Sequence, residues 1–171
     1  MTLILSLAAF LMIPSDRAAQ LLIFVTSDCP ISNYYAREIQ DICSTNRPKG
    51  LTCTLVYEDV GFDETRMRKH LEEYGYRESV NAVIDRDRAI ARRAGATVTP
   101  HAVLSGASGR IEYRGRIDNR YEAFGQPRRV VTRHDLRDAI DAVLAGRPVR
   151  TPETTALGCF ITPSSATRKQ P

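Results

Sequence analysis

The chain has 171 residues, 43% of them hydrophobic and none of them Trp, a composition that fits one soluble globular domain with tails and excludes a second large core. Its formal charge of +4 comes from 24 Lys and Arg, only 3 of them Lys. These are scattered along the chain instead of gathered in one tract with interleaved aromatics, so nucleic-acid binding is not expected.

Residues 3–13 are apolar apart from Ser6 and are followed by Pro14-Ser15-Asp16-Arg17 and then Ala18-Ala19. The run is too short for a bilayer, which takes about 20 residues. With its small-residue exit it matches a secretory signal peptide, although no Lys or Arg precedes it. Residues 1–19 are read as that signal, with the mature chain starting near Ala19 or Gln20. The mature form then keeps no membrane span and is periplasmic or secreted, where disulfides persist.

Leu21-Leu22-Ile23-Phe24-Val25 is a continuous apolar run, the pattern of a strand buried on both faces. Beyond Thr26-Ser27-Asp28-Cys29 the period changes. Ile31, Tyr35, Ile39 and Ile42 recur at helical spacing over 30–43, and Pro30 suits a first helical position. Cys29 therefore falls at the N-cap, where unbonded N–H groups and the positive end of the helix dipole favour a thiolate, below the free-thiol value of about 8.5. A thiolate at neutral pH is a nucleophile.

A turn at 46–50 leads to a strand over 51–57 that alternates and is rich in β-branched residues. A helix follows from Asp63 and Glu64 to Gly75, with Met67, Leu71 and Tyr74 on one face. A third strand covers 80–84 and a short helix 87–94, ending at Gly95. Arg86, Arg88, Arg92 and Arg93 read as the solvated face of that helix. Such alternation argues for parallel strands in an α/β sheet.

Two short strands, 102–104 and 110–114, form a hairpin, and Pro100 stands just before the first of them, where a cis Thr99-Pro100 peptide is expected. The last helix should start from Thr132 as N-cap with Asp135 three residues on, bury Leu136, Ala139, Ile140, Val143 and Leu144, and end at Gly146. The tail is rich in Thr, Ser and Pro and should be irregular apart from an apolar island at 156–161.

Asp28-Cys29-Pro30-Ile31-Ser32-Asn33 after a strand, Val98-Thr99-Pro100 before a hairpin and a final capped helix together resemble the thioredoxin fold. The flavour is that of the redoxins, the group of the alkyl hydroperoxide reductase and thiol-specific antioxidant proteins and the exported thiol-disulfide reductases. The resemblance implies a central mixed sheet flanked by helices over 20–148, a tail over 149–171, Cys29 as the attacking cysteine and Pro100 as a cis-proline beside it. The chain departs from thioredoxin-type reductases at Ser32, where they carry a second cysteine. It departs from peroxiredoxins at Leu22, where they carry a proline, while Thr26 matches their threonine.

Three cysteines remain as partners. Cys43 lies fourteen residues on in the same expected helix, a rise of about 21 Å, too far to bond Cys29. Cys43 and Cys53 flank the turn between helix and strand and form either a structural disulfide or two buried free thiols. Cys159, in the apolar island of the tail, is left to resolve Cys29, or else is an unpaired tail cysteine. His101 follows Pro100 and is expected near Cys29, to stabilise its thiolate or move protons, the alternative being a structural histidine. The leading function is thus an exported thiol-disulfide oxidoreductase acting on protein or small-molecule thiols and disulfides, with no cofactor and no resident metal. A thiol peroxidase would use Thr26 with Arg114 or Arg116. A non-catalytic redoxin would bind a protein partner, or copper through Cys29, His101 and Cys159.

Overall fold

A computed structural model describes residues 18–76 and 79–162; the expected signal peptide, apart from Ala18 and Ala19, lies outside the described residues. Five strands form one sheet in the order β3-β2-β1-β5-β6. The strands β1 (Ala19–Val25), β2 (Leu51–Tyr57) and β3 (Val80–Ile84) run parallel. The hairpin β5 (His101–Ser105) and β6 (Ile111–Gly115) adds two antiparallel strands on the other side of β1. The sheet is therefore mixed, and β1 is central. Its unbroken apolar run follows from burial on both faces: Leu21, Ile23 and Val25 pack with Ile39, Ile42, Leu136 and Ile140, while Phe24 packs with Val56, Val103, Ala91 and Ala94.

Three local expectations are corrected. The helix expected over 30–43 is two helices, α1 (Pro30–Tyr34) and α2 (Ala36–Asn46), hinged at Tyr35. The Tyr35 hydroxyl donates to buried Asp118 far along the chain, a contact that helical spacing cannot announce. Beyond α3 (Glu64–Glu73), with Asp63 accepting from the Arg66 N–H at 2.8 Å, comes α4 (Ala89–Ala94). Arg88, read as part of a solvated face, is buried at the start of α4 with its guanidinium beside Glu58. The last helix, α5 (Asp135–Leu144), is capped by His134 and not by Thr132. Thr132 and Arg133 instead give their N–H groups to Asn119 Oδ1, both at 3.0 Å, which holds them outside the helix. Between β6 and α5 lies a small hairpin, β7 (Tyr121–Ala123) and β8 (Gln126–Pro127).

Residues 150–162 are mostly irregular, as their composition suggested, yet they are bonded to the domain along their length. The Arg114 N–H donates to Pro152 O at 2.9 Å and the Thr154 N–H to Arg114 O at 3.0 Å. Thr154 lies so close to Gly115, whose φ is 141°, that any Cβ there would collide with it. Further on, β9 (Cys159–Phe160) pairs antiparallel with β4 (Val98–Thr99), and the Ile161 N–H donates to Thr97 O at 3.0 Å.

Cys43 and Cys53 are joined in a disulfide between α2 and β2, with Cα atoms 6.0 Å apart. Both are buried, so of the two alternatives for this pair the disulfide is the one found. Replacing both cysteines by Ala should lower unfolding free energy by about 3 kcal/mol, the chain-entropy value for so short a loop. Urea unfolding of the double variant measures it, and peptide mapping without reduction should recover the two peptides joined.

Candidate functional site

The site lies where the C-terminal end of β1, the turn at Pro100 and the tail converge. At the end of β1 the chain turns through Thr26-Ser27-Asp28, and this turn is held from outside. Asp59 accepts from the Ser27 N–H at 3.0 and 3.1 Å and from its hydroxyl at 2.5 Å. Asn33 Nδ2 donates to Ser27 O at 2.9 Å. That orientation leaves Asn33 Oδ1 to accept from His70 Nε2 at 3.0 Å, so His70 Nδ1 accepts from the Tyr57 hydroxyl at 2.8 Å. Burial keeps His70 below the ordinary histidine range, although Asp59 and Glu73 act the other way.

Cys29 is the N-cap of α1 and is buried. As a thiol it donates to Thr99 O at 3.2 Å. The peptide that follows, Thr99-Pro100, is cis. The Thr99 hydroxyl is 3.2 Å from the Thr26 hydroxyl, so Thr26 ties the two turns together. In the β4–β9 ladder Thr99 also stands opposite Cys159, which brings the tail thiol to Cys29. Burial pushes the Cys29 thiol up, but hydrogen bonds from the Cys159 thiol, from the N–H and hydroxyl of Ser32 and from the Cys159 N–H outweigh it, and the net shift is downward. With Cys29 as a thiol the buried Ser32 hydroxyl has no hydrogen-bond partner, so it is available to a thiolate. α1 is only five residues long, and these hydrogen bonds, more than the dipole of a long helix, account for the shift. Burial, the hydrogen bond to Cys29 and the charges of Cys29 and Asp28 push Cys159 up to about 12. The two sulfurs are thus an unlike pair: one thiolate-prone, one held as a donor.

Beside them is a cleft of about 350 Å³ lined by Thr26, Asp28, Glu58, Cys159, Phe160 and Thr162. Burial and the neighbouring Asp85 push the Glu58 carboxyl up to about 8, with Arg88 acting the other way.

Of the residues singled out in the sequence, Cys29, Thr26, Pro100 and Cys159 come together. His101 does not. It pairs with Phe24 across β1 and β5, and the two rings meet edge to face at 6.4 Å on the α4 side of the sheet, whereas Cys29 packs on the other side. Strand alternation at Phe24 dictates this. Neither nitrogen of His101 has a hydrogen-bond partner; burial, then Arg114, lowers it to about 4 against the pull of Glu153. The copper set of Cys29, His101 and Cys159 is therefore split between two faces. Arg114 and Arg116, the peroxide-pocket candidates, are engaged by Glu153 at 3.2 Å and Asp135 at 2.7 Å. Asp59, His70, Glu58 and Arg88 were not identified from sequence; the acidic pair Glu58-Asp59 directly after a strand was the available signal.

No protein-family model and no curated protein matches the chain. Among solved structures it is similar to a hypothetical protein of Sinorhizobium meliloti 1021, with 26% identity over 88% of this chain and 82% of that one and a TM-score of 0.76. It is also similar to an uncharacterized conserved protein of Geobacillus kaustophilus, with 26% identity over 85% and 77% and a TM-score of 0.74. A secreted Mycobacterium tuberculosis disulfide oxidoreductase homologous to E. coli DsbE shares 17% identity over 77% and 83%, with a TM-score of 0.51. The fold is thioredoxin-like, the fold of thiol-disulfide oxidoreductases, and this chain places two free cysteines together in it. No helix among the described residues is long and apolar enough to cross a membrane.

The rate of Cys29 alkylation against pH should show a midpoint below the free-thiol value of about 8.5, and Ser32→Ala should raise it. His101 supplies a second expectation. Below about pH 6.5 the unfolded chain binds a proton at this position that the folded chain refuses, so stability present above that pH is lost as pH falls toward 4, by an amount on the order of 3 kcal/mol. His101→Phe, which keeps a ring against Phe24, should flatten that loss in urea unfolding at the two pH values and leave the Cys29 alkylation rate unchanged.

Proposed function

We propose that the protein is an exported thiol-disulfide oxidoreductase in which Cys29 attacks and Cys159 resolves. The observation that carries the reading is that Thr99 accepts the Cys29 thiol on its carbonyl and stands opposite Cys159 in the β4–β9 ladder, so the two free cysteines meet beside the Pro100 turn, with Cys43 and Cys53 withdrawn into a bond of their own. The Cys29 thiolate attacks one sulfur of a substrate disulfide, forming a mixed disulfide and releasing the other sulfur as a thiolate that takes up a proton. Cys159 then loses its proton and attacks Cys29 Sγ, which breaks the mixed disulfide and releases the second substrate thiol. The substrate gains two electrons and two protons, and the protein is left with a Cys29–Cys159 bond that an external thiol reductant must reopen. Two of the causes that raise Cys159, its hydrogen bond to Cys29 and the Cys29 charge, vanish once Cys29 is in the mixed disulfide. Cys159 therefore becomes easier to ionise at the step that needs it.

In this reading residues 20–148 are the catalytic domain, 149–171 an arm that delivers the second cysteine, and 1–19 an export signal. Export is supported by the pattern of residues 3–13, by the Cys43–Cys53 disulfide and by the secreted mycobacterial neighbour. Substrates are protein or small-molecule disulfides.

Treatment with oxidised glutathione should give the wild type an intramolecular Cys29–Cys159 bond, whereas Cys159→Ser should accumulate glutathione on Cys29. Steady-state disulfide reduction should fall at least about tenfold in that variant, while the first attack by Cys29 stays within a few-fold of wild type. Mass spectrometry of trapped species and stopped-flow kinetics read the two effects. Unchanged turnover in Cys159→Ser would reduce the tail to an appendage.

A further inference from the structure

Among the described residues Arg88 is the one residue other than glycine with a positive φ, 61°. At the head of a short helix this is a conformation that glycine adopts without steric cost and that L side chains disfavour. Its side chain is almost fully buried. An arginine kept under both conditions points to its guanidinium as the group the position requires, and the contacts show what that group joins. Nη1 donates to Asp85 O at 2.7 Å, closing the turn from which α4 starts. Nε lies 3.2 Å from Glu58 Oε2, off the line of a hydrogen bond, and donates instead to Thr162 O at 3.2 Å. Thr162 is three residues beyond Cys159 in the tail.

Glu58 brings this contact to the site. It follows β2 directly, and its N–H donates to Val25 O at 2.8 Å at the end of β1, four residues before Cys29. It is buried and lines the same cleft as Thr26, Cys159 and Thr162. The path runs from the core carboxylate through the guanidinium to the tail carbonyl. The β4–β9 ladder is only two residues long, and its outer member Phe160 is 85% exposed. Such a ladder is a weak hold by itself. Upstream the tail is fixed at Thr154 and downstream at Ile161 and Thr162, so the downstream hold is the one next to Cys159.

We propose that Arg88 is a positioning residue for the Cys29–Cys159 pair: braced by Glu58, it clamps the tail at Thr162 and so sets the effective concentration of the Cys159 thiol at Cys29. The assignment rests on the two-cysteine reading and deepens it. It implies that resolution, not the first attack, is the step Arg88 governs.

The test equilibrates the full chain with reduced and oxidised glutathione at a pH where Glu58 is ionised and reads the fraction carrying the Cys29–Cys159 bond. Arg88→Gln should disfavour that bond by about tenfold, because a loosened tail lowers the effective concentration of its thiol. In a Cys159→Ser background the same substitution should leave the pH midpoint of Cys29 alkylation where it was. A general disturbance of the fold would move it. Glu58→Gln should act in the same direction, and Arg88→Gln with Glu58→Gln together should do no more than Arg88→Gln alone, since both remove one clamp. Glu58→Gln alone decides the matter should Arg88→Gln fail to fold. A wild type that forms the bond while the variants match it within about twofold overturns the assignment alone, as does a shift of the Cys29 midpoint large enough to account for the loss. A wild type that forms no such bond in the same buffers overturns the two-cysteine cycle, and this assignment with it.

Discussion

The site depends on Thr99. This one fully buried residue accepts the Cys29 thiol on its carbonyl, meets Thr26 through its hydroxyl, and sets Cys159 opposite itself through the β4–β9 ladder. The approach is close enough that a Cβ on the neighbouring Gly158 would run into the Thr99 carbonyl oxygen. A glycine before the tail cysteine is therefore a steric condition for bringing the sulfur in. Two sulfurs 130 residues apart in the chain meet because each is referred to the same peptide.

That geometry makes the sulfurs unequal. Both are partly withdrawn from water, which disfavours a charge on either. Cys29 is also surrounded by donors, whereas the groups facing Cys159 are a thiolate-prone sulfur and Asp28. One negative charge can be held between them, and the donors direct it to Cys29. The proposed division of labour between attacking and resolving thiol would then follow from hydrogen-bond direction, with no cation at the sulfur required.

The turn carrying Cys29 is kept in place by a chain of neutral and charged groups running from Asp59 and Ser27 through Asn33 and His70 to Tyr57. Each link fixes the next: the Asn33 amide orientation selects the His70 tautomer, and that tautomer requires the Tyr57 hydroxyl to donate. His70 and His101 are both buried and both shifted down, yet they differ in kind. His70 is hydrogen-bonded at both nitrogens, and His101 is a ring packed on Phe24 with its polar atoms unused.

Strand β1 with its double burial, the bounds of β2 and β3, the β5–β6 hairpin and the N-cap place of Cys29 were legible in the sequence, because apolar period, β-branched runs and turn residues are local signals. The proline that follows Thr99 and the unusual apolar island at 156–161 marked the right segments for the same reason. The break at Tyr35, the late start of α5 and the burial of Arg88 were not legible. Each is imposed by a partner far along the chain: Asp118 for Tyr35, Asn119 for Thr132, and Glu58 with Thr162 for Arg88. His101 lay between the two cases. Adjacency to Pro100 suggested closeness to Cys29, but register against Phe24 sends alternate side chains to opposite faces. The amino-acid pattern by itself determined the sheet and the place of Cys29 at a helix start. Which sulfur faces it, and which side chains hold the two together, was decided only by tertiary pairing, because register and long-range contacts depend on residue pairs that no local period encodes.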